Sequence, residues 1–205
     1  MLLVHPDFLA NTALAKKIRE YGYFGYSANE ALFLSEQEEQ LLEGLIGHIR
    51  QEFGIYTDRF SQQIIIAEVE ALLGYADRFY HRQFITRSVA SHNVLNRLEN
   101  LLDNCFSSAE RLQQGLPTVQ FVAEKLNMSP NYLSGLLKEL TGLNTQQHIH
   151  EKLIIVAKEK LSSTDLTVSE IAYHLGFEHV PSFSKLFKQK TTQSPVSFRQ
   201  GFRKT

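Results

Sequence analysis

Thr167-Val-Ser-Glu-Ile-Ala-Tyr-His-Leu-Gly-Phe-Glu-His-Val-Pro-Ser-Phe-Ser-Lys-Leu-Phe-Lys-Gln-Lys-Thr191 decides the fold, because the chain carries the pattern twice. The earlier copy is Thr118-Val-Gln-Phe-Val-Ala-Glu-Lys-Leu-Asn-Met-Ser-Pro-Asn-Tyr-Leu-Ser-Gly-Leu-Leu-Lys-Glu-Leu-Thr141. Thr118, Val119, Ala123 and Leu126 align with Thr167, Val168, Ala172 and Leu175. After one extra residue in the later copy, Leu133, Ser134, Leu136, Lys138 and Thr141 align with Phe183, Ser184, Leu186, Lys188 and Thr191. Two copies are too few for a solenoid, so each must be a small unit with its own job.

Each copy reads as helix, tight turn, helix. Thr118 and Thr167 are N-cap types. Val119, Val122 and Leu126 form an inward face, as do Val168, Ile171 and Leu175. Ala123 and Ala172 are small where two helices cross steeply. Asn127-Met128 and Gly176-Phe177 form the turns, since Asn and Gly tolerate the left-handed conformation. Ser129 caps and Pro130 starts the next helix of the first copy, and Pro181 does similar work in the second. The second helices are expected to bury Leu133, Leu136, Leu137 and Leu140, and Phe183, Leu186 and Phe187. The units span about 118–142 and 167–192, joined by a linker helix over about 145–161 with the stripe Ile149, Leu153, Val156 and Leu161.

A duplicated helix-turn-helix suits the major groove of double-stranded DNA, where the second helix lies against base edges. The outward residues are Asn131, Tyr132, Ser134, Gly135 and Lys138, then His179, Val180, Pro181, Ser182, Lys185 and Lys188. Groove readers use short polar groups, cations for guanine and apolar tips for the thymine methyl. Lys138, Lys185, Lys188 and Lys190 are the expected phosphate or guanine partners. One hairpin with a solvated face would say little; two in register with basic outer faces point to a polyanion.

Working outward, the net charge of −1 over 205 residues conceals a division. Residues 1–116 carry 10 basic and 15 acidic side chains, net −5; residues 117–205 carry 11 and 7, net +4. The sign changes beside Gly115-Leu-Pro117, which sets a boundary between 1–115 and 116–205. With 43% hydrophobic residues, each part has enough apolar material for a core.

The first part also reads as helical. Residues 1–10 are expected to be a strand end running into a turn at Pro6-Asp7, followed by a helix from about Phe8 to Tyr21. Tyr21-Gly-Tyr-Phe-Gly-Tyr26 reads as a loop of aromatics packed on a neighbour. Ser35 and Glu38 form a capping box for a helix over about 36–54, ended by Gly54. Helices over about 58–84 and 90–111 follow. Ile65, Val69, Leu72, Ala76 and Phe79 make a short a/d seam in the first of these; Val94, Leu98, Leu101 and Cys105 line the second. Such a seam is core within one chain or, as the sharper alternative, the contact of a homodimer. The fold class is therefore all-α: two helix-turn-helix subdomains and a linker helix, preceded by a helical dimerisation region.

Other constellations carry less. Cys105, the lone cysteine, excludes an intramolecular disulfide and reads as core. His148 and His150 are two residues apart, so a helix points them to different faces; no metal is expected. No catalytic triad, phosphate loop or carboxylate pair is present, so neither catalysis nor a cofactor is expected. The apolar runs are too short for a membrane span and the start has no basic signal-peptide region, so the expectation is a soluble, cytoplasmic protein.

The C-terminal pattern resembles the AraC/XylS family of bacterial transcription regulators. The resemblance rests on Gly176-Phe-Glu, Ser182-Phe-Ser-Lys-Leu-Phe-Lys188 and Ser194-Pro-Val-Ser-Phe-Arg199. Ala157-Lys158 with Leu161, Ile171-Ala172, and Leu126, Ser129, Tyr132-Leu133, Lys138 and Thr141-Gly142 also fit. Thr192 stands where the family usually has glycine, and Lys152 where its linker helix usually has arginine. The resemblance covers about residues 117–200. It implies a sequence-specific DNA-binding regulator, often an activator, that contacts promoter DNA and RNA polymerase. By position it implies base contacts at Asn131, Ser134, Gly135, His179, Pro181, Ser182 and Lys185; Gly135 and Pro181 have no side-chain donor and would be read by shape. Family members commonly carry a β-barrel sensor before dimerising helices. Residues 1–115 resemble only the back of such a region, with His5-Pro6-Asp7-Phe8 at the barrel exit, so the barrel is expected to be missing. A rival reading is a sensorless helical dimer that uses the repeat as a protein-binding surface and antagonises a full-length regulator.

Overall fold

In the computed structural model, residues 2–55, 58–86, 88–107 and 115–203 are described, and among them every regular element is a helix. Contacts divide the chain into two units, Met1–Ser88 and Val89–Thr205. No described helix is long and apolar enough to cross a membrane.

The first unit does not begin with the expected strand end. Pro6–Leu9 is a turn of 3-10 helix, with His5 Nδ1 accepting from the Asp7 amide at 3.3 Å. Proline's fixed φ suits a helical start, and here it opens one. Asn11 then turns left-handed, φ 64°, so the helix expected from Phe8 shrinks to α1 (Ala13–Lys17), capped by Thr12 Oγ1. Two long helices follow: α2 (Glu36–Ile55) and α3 (Ser61–Thr86). The capping box forms as the sequence says. The Ser35 amide donates to Glu38 Oε2 at 2.9 Å and the Glu38 amide to Ser35 Oγ at 3.4 Å, and these bonds hold the Glu38 carboxyl below its usual range. α2 runs on through Gly54 to Ile55. Asp58 Oδ1 caps α3 through the Phe60 and Ser61 amides, at 2.8 and 3.1 Å.

The core of this unit gathers Leu9, Leu14, Ile49, Ile65 and Val69. Of the two readings of the a/d seam, burial within the chain accounts for part of it. Ile65, Val69 and Phe79 are buried within this chain, and Leu72 and Ala76 are half-buried. Leu9 and Leu14 from the N-terminal segment and Ile49 from α2 pack with Ile65 and Val69. The aromatic loop straps onto α3, its middle wound into one 3-10 turn, Gly22–Gly25. Tyr23 stacks on Tyr80 at 5.6 Å and donates its hydroxyl to Leu73 O at 3.0 Å, while burial pushes its phenol pKa up. Farther along, the Phe33 amide donates to Gln83 Oε1 at 2.8 Å.

The second unit holds α4 (Ser88–Ser107), α5 (Val119–Leu126), α6 (Pro130–Thr141), α7 (Thr145–Ser163), α8 (Val168–His174), α9 (Val180–Thr191) and α10 (Pro195–Arg203). Thus the unit starts at Val89, upstream of the Gly115–Pro117 charge boundary. On α4, Val94, Leu98, Leu102, Cys105 and Phe106 are buried, Leu102 rather than Leu101 completing the stripe. Arg97 Nη2 donates to Leu126 O at 3.4 Å, and Asp103 pairs with Lys152 on α7, so the lysine that replaces the family's usual arginine has a partner here. The last residues of the helix expected to 111 lie outside the described ones. α10, which the sequence reading did not separate, packs on α7 and α9.

Candidate nucleic-acid interface

The two repeats fold by the same local chemistry. In the first, Thr118 Oγ1 accepts from the Phe121 amide at 3.1 Å and starts α5. Asn127 then takes φ 58° and ψ 45°, its amide donating to Glu124 O at 3.0 Å and the Met128 amide to Ala123 O at 2.9 Å. In the second, Thr167 and Glu170 form a capping box for α8. Gly176 takes φ 85°, its amide donating to Tyr173 O and the Phe177 amide to Ala172 O, both at 3.0 Å. This pair of bonds is the Schellman closure, and it sits at equivalent residues in both copies. Ala123 and Ala172, at the crossings, are 0% exposed.

The second helix of each unit also ends alike. Thr141 Oγ1 donates to Leu137 O at 2.8 Å, and Gly142 follows at φ 77° with its amide on Lys138 O. Thr191 Oγ1 donates to Phe187 O at 2.7 Å, and Thr192 follows at φ 64° with its amide on Lys188 O. The turn expected at the family's glycine position is therefore made by a threonine in a conformation that disfavours a β-branched side chain.

Between the units, α7 is capped by Asn144, whose Oδ1 accepts from the Gln147 amide at 2.9 Å. It buries Ile149, Leu153, Ile154, Ala157 and Leu161; Val156, expected on the stripe, is only half-buried. Arg199 on α10 donates from Nε to Leu161 O at 3.2 Å, satisfying a carbonyl of the last turn of α7. Phe198 meets Phe187 at 5.5 Å and joins α10 to the core of the second unit.

Residues 122–201 match the family model described as a helix-turn-helix domain. This stretch is a helix-turn-helix domain. The HTH-type transcriptional activator RhaS of Escherichia coli O157:H7 (strain EC4115 / EHEC) is 31% identical over 118 residues, covering 53% of this chain and 42% of that protein. RhaS of Salmonella paratyphi B (strain ATCC BAA-1250 / SPB7) is 28% identical over 191 residues, covering 83% of this chain and 68% of that protein. The chain thus spans from under half to about two thirds of these relatives. The solved C-terminal domain of the response regulator yesN from Fusobacterium nucleatum is 29% identical, with a TM-score of 0.46, covering 52% of this chain and 98% of that one.

On the helix-turn-helix domain, Asn131 and Lys138 of α6 are exposed, and Ser134 and Gly135 are half-buried. Around α9, His179, Pro181, Ser182, Lys185 and Lys188 are exposed and Val180 is half-buried. Tyr132 departs from the expected outward face: it is 8% exposed, because it lies four residues before Leu136 and shares that residue's inward side. Leu140 and Leu186 are half-buried rather than buried. Lys190 is spent on an ion pair with Glu151 of α7 at 2.9 Å. His148 and His150 are likewise engaged: His148 Nε2 lies 2.8 Å from Thr141 Oγ1, and His150 Nε2 lies 2.8 Å from Gln146 Nε2. Burial lowers the pKa of both rings, and Lys190 adds to the effect at His150. The contacts of Ser134, Arg199 and Lys190 depend on residues far along the chain, and the spacing of the repeat gave no signal for them.

Proposed function

We propose that the chain is a sequence-specific DNA-binding transcription regulator that lays α6 and α9 in successive major grooves of one duplex face. The observation that carries this reading is the pair of identical turn closures, each presenting a second helix whose outer face is short, polar and basic. With α7 as a rigid joint, the two helices would meet DNA about 34 Å apart, one helical turn. Lys185 is assigned to a base edge, and Lys138 and Lys188 to phosphate or guanine. Asn131, Ser134, Gly135, His179, Pro181 and Ser182 complete the base-facing set, by analogy of position with the family.

The name of the RhaS relatives supports activation; RNA polymerase as the protein partner rests on the resemblance to the AraC/XylS family alone. A homodimer through the N-terminal helices would use a surface other than the buried Ile65–Val69–Phe79 stripe. A titration of the whole chain on selected and random duplexes tests the reading. Specific affinity should exceed random, and log K should fall with log salt at about −0.9 per phosphate neutralised. Binding indifferent to both salt and sequence would remove it. Sedimentation of the whole chain tests the dimer.

A further inference from the structure

Ser134 on α6 and Thr145 at the start of α7 meet through their hydroxyls, with Ser134 Oγ 2.9 Å from Thr145 Oγ1. Thr145 is 0% exposed, whereas Ser134 is half-buried on the helix that also presents Asn131 and Lys138. Distance alone admits either oxygen as the donor. Desolvation separates the two arrangements. A hydroxyl has one hydrogen and two lone pairs. Were Ser134 the donor, the Thr145 hydrogen would be left buried without this acceptor, at a cost comparable to a lost hydrogen bond. Were Thr145 the donor, only lone pairs would go unmet, which buried oxygens tolerate better than donors do. Ser134, nearer the surface, is satisfied by solvent or ligand either way.

We propose, on the reading that α6 lies in a major groove, that Thr145 is a positioning residue: it donates to Ser134 Oγ and so turns the Ser134 O–H outward as a donor. Major-groove acceptors are guanine N7 and O6, adenine N7 and thymine O4, whereas cytosine offers only its N4 donor. Accepting from Thr145 occupies one of the two Ser134 lone pairs and leaves its hydrogen outward, so the hydroxyl pair favours these acceptors over cytosine at the base that Ser134 faces. The second repeat supplies the contrast. Ser184 aligns with Ser134, but Pro195 stands at the first position of the following helix, where Thr145 stands in the first repeat, and it has no hydroxyl to give. The device belongs to the first repeat alone.

The test is selection from randomised duplexes by the whole chain, for wild type, Ser134→Ala, Thr145→Val and Thr145→Ser. Wild type should reject cytosine at one position, and Ser134→Ala should lose that rejection. Thr145→Val should weaken it by about two- to tenfold, the worth of one neutral hydrogen bond. Thr145→Ser should restore it, which a role in packing alone would not require; Thr145→Ala replaces the valine variant if that one does not fold. A Thr145→Val profile identical to wild type at the position that Ser134→Ala alters overturns the inference. So does a Ser134→Ala profile unchanged everywhere. A wild type that selects no sequence overturns the DNA-binding reading itself, so the two failures are distinct.

Discussion

The two helix-turn-helix units share their turns and differ in nearly everything hung on them. The first packs aliphatic side chains, Leu133, Leu136 and Leu137, behind α6; the second packs Phe183 and Phe187 behind α9, with Phe177 5.4 Å from Phe183. Ser129 Oγ caps α6 through the Tyr132 amide at 3.3 Å, while His179 makes no side-chain cap for α9. α6 ends on a glycine and α9 on a strained threonine. Outside, the first repeat exposes Lys138 and the second exposes His179, Lys185 and Lys188. The difference teaches that turn geometry is what the duplication preserves, since two bonds of fixed sense admit few alternatives. Core filling and surface charge are free to diverge around it.

The largest expected effects fall on the cores. Phe183→Ala should destabilise the C-terminal unit by about 3–5 kcal/mol and Leu133→Ala by about 2–5 kcal/mol, measured by urea unfolding. Equal losses would mean that the aromatic core of the second repeat is packed no more tightly than the aliphatic one. Next comes binding. Lys185→Ala should cost about 1–3 kcal/mol and relax preference at one base pair, whereas Lys138→Ala, as a phosphate contact, should weaken all duplexes alike and reduce the salt slope by about 0.9. The reverse pattern would exchange the roles assigned to the two lysines.

Smaller and opposite in sign are the helix ends. Thr192→Gly should stabilise by up to about 1 kcal/mol, relief of the left-handed strain outweighing the extra chain entropy, and Gly142→Ala should destabilise by about 1 kcal/mol. An alanine Cβ at Gly142 would meet nothing within 4 Å, so the second loss is backbone strain alone. The smallest effect is one of pH. His148 and His150 have folded pKa values below 6.5, so below that pH the unfolded chain binds more protons than the folded one. Stability should fall as pH drops through about 6.5, and His148→Gln should flatten the fall; a curve rising toward acid would show that the nearby Glu99 and Glu151 outweigh burial.

Much of this is legible in the sequence, for a local reason. Thr118, Asn127, Ser129, Thr167 and Gly176 each act on amides within a few residues, so sequence spacing suffices to read them. The tertiary choices are not. The stripe of Ile65 and Val69 announces burial without naming Leu9, Leu14 and Ile49, which pack with it from elsewhere in the chain. Tyr132 carries a hydroxyl and was counted with the polar face, though its place on the helix turns it inward. α10 is a short, polar helix whose anchors, Phe198 and Arg199, reach back to α9 and α7. The residues proposed to face bases are legible as a pattern of types; the Ser134–Thr145 contact spans two helices and is not.

The placement of Cys105 has a practical use. The thiol is 3% exposed on α4, inside the unit that begins at Val89 rather than at the charge boundary. A reagent can reach that sulfur only after α4 lifts away, so the rate of thiol labelling is a clock for that opening, readable without introducing any foreign probe. A gene fragment begun at Pro117 would discard the clock together with the helix that Arg97 and Asp103 fasten to α5 and α7.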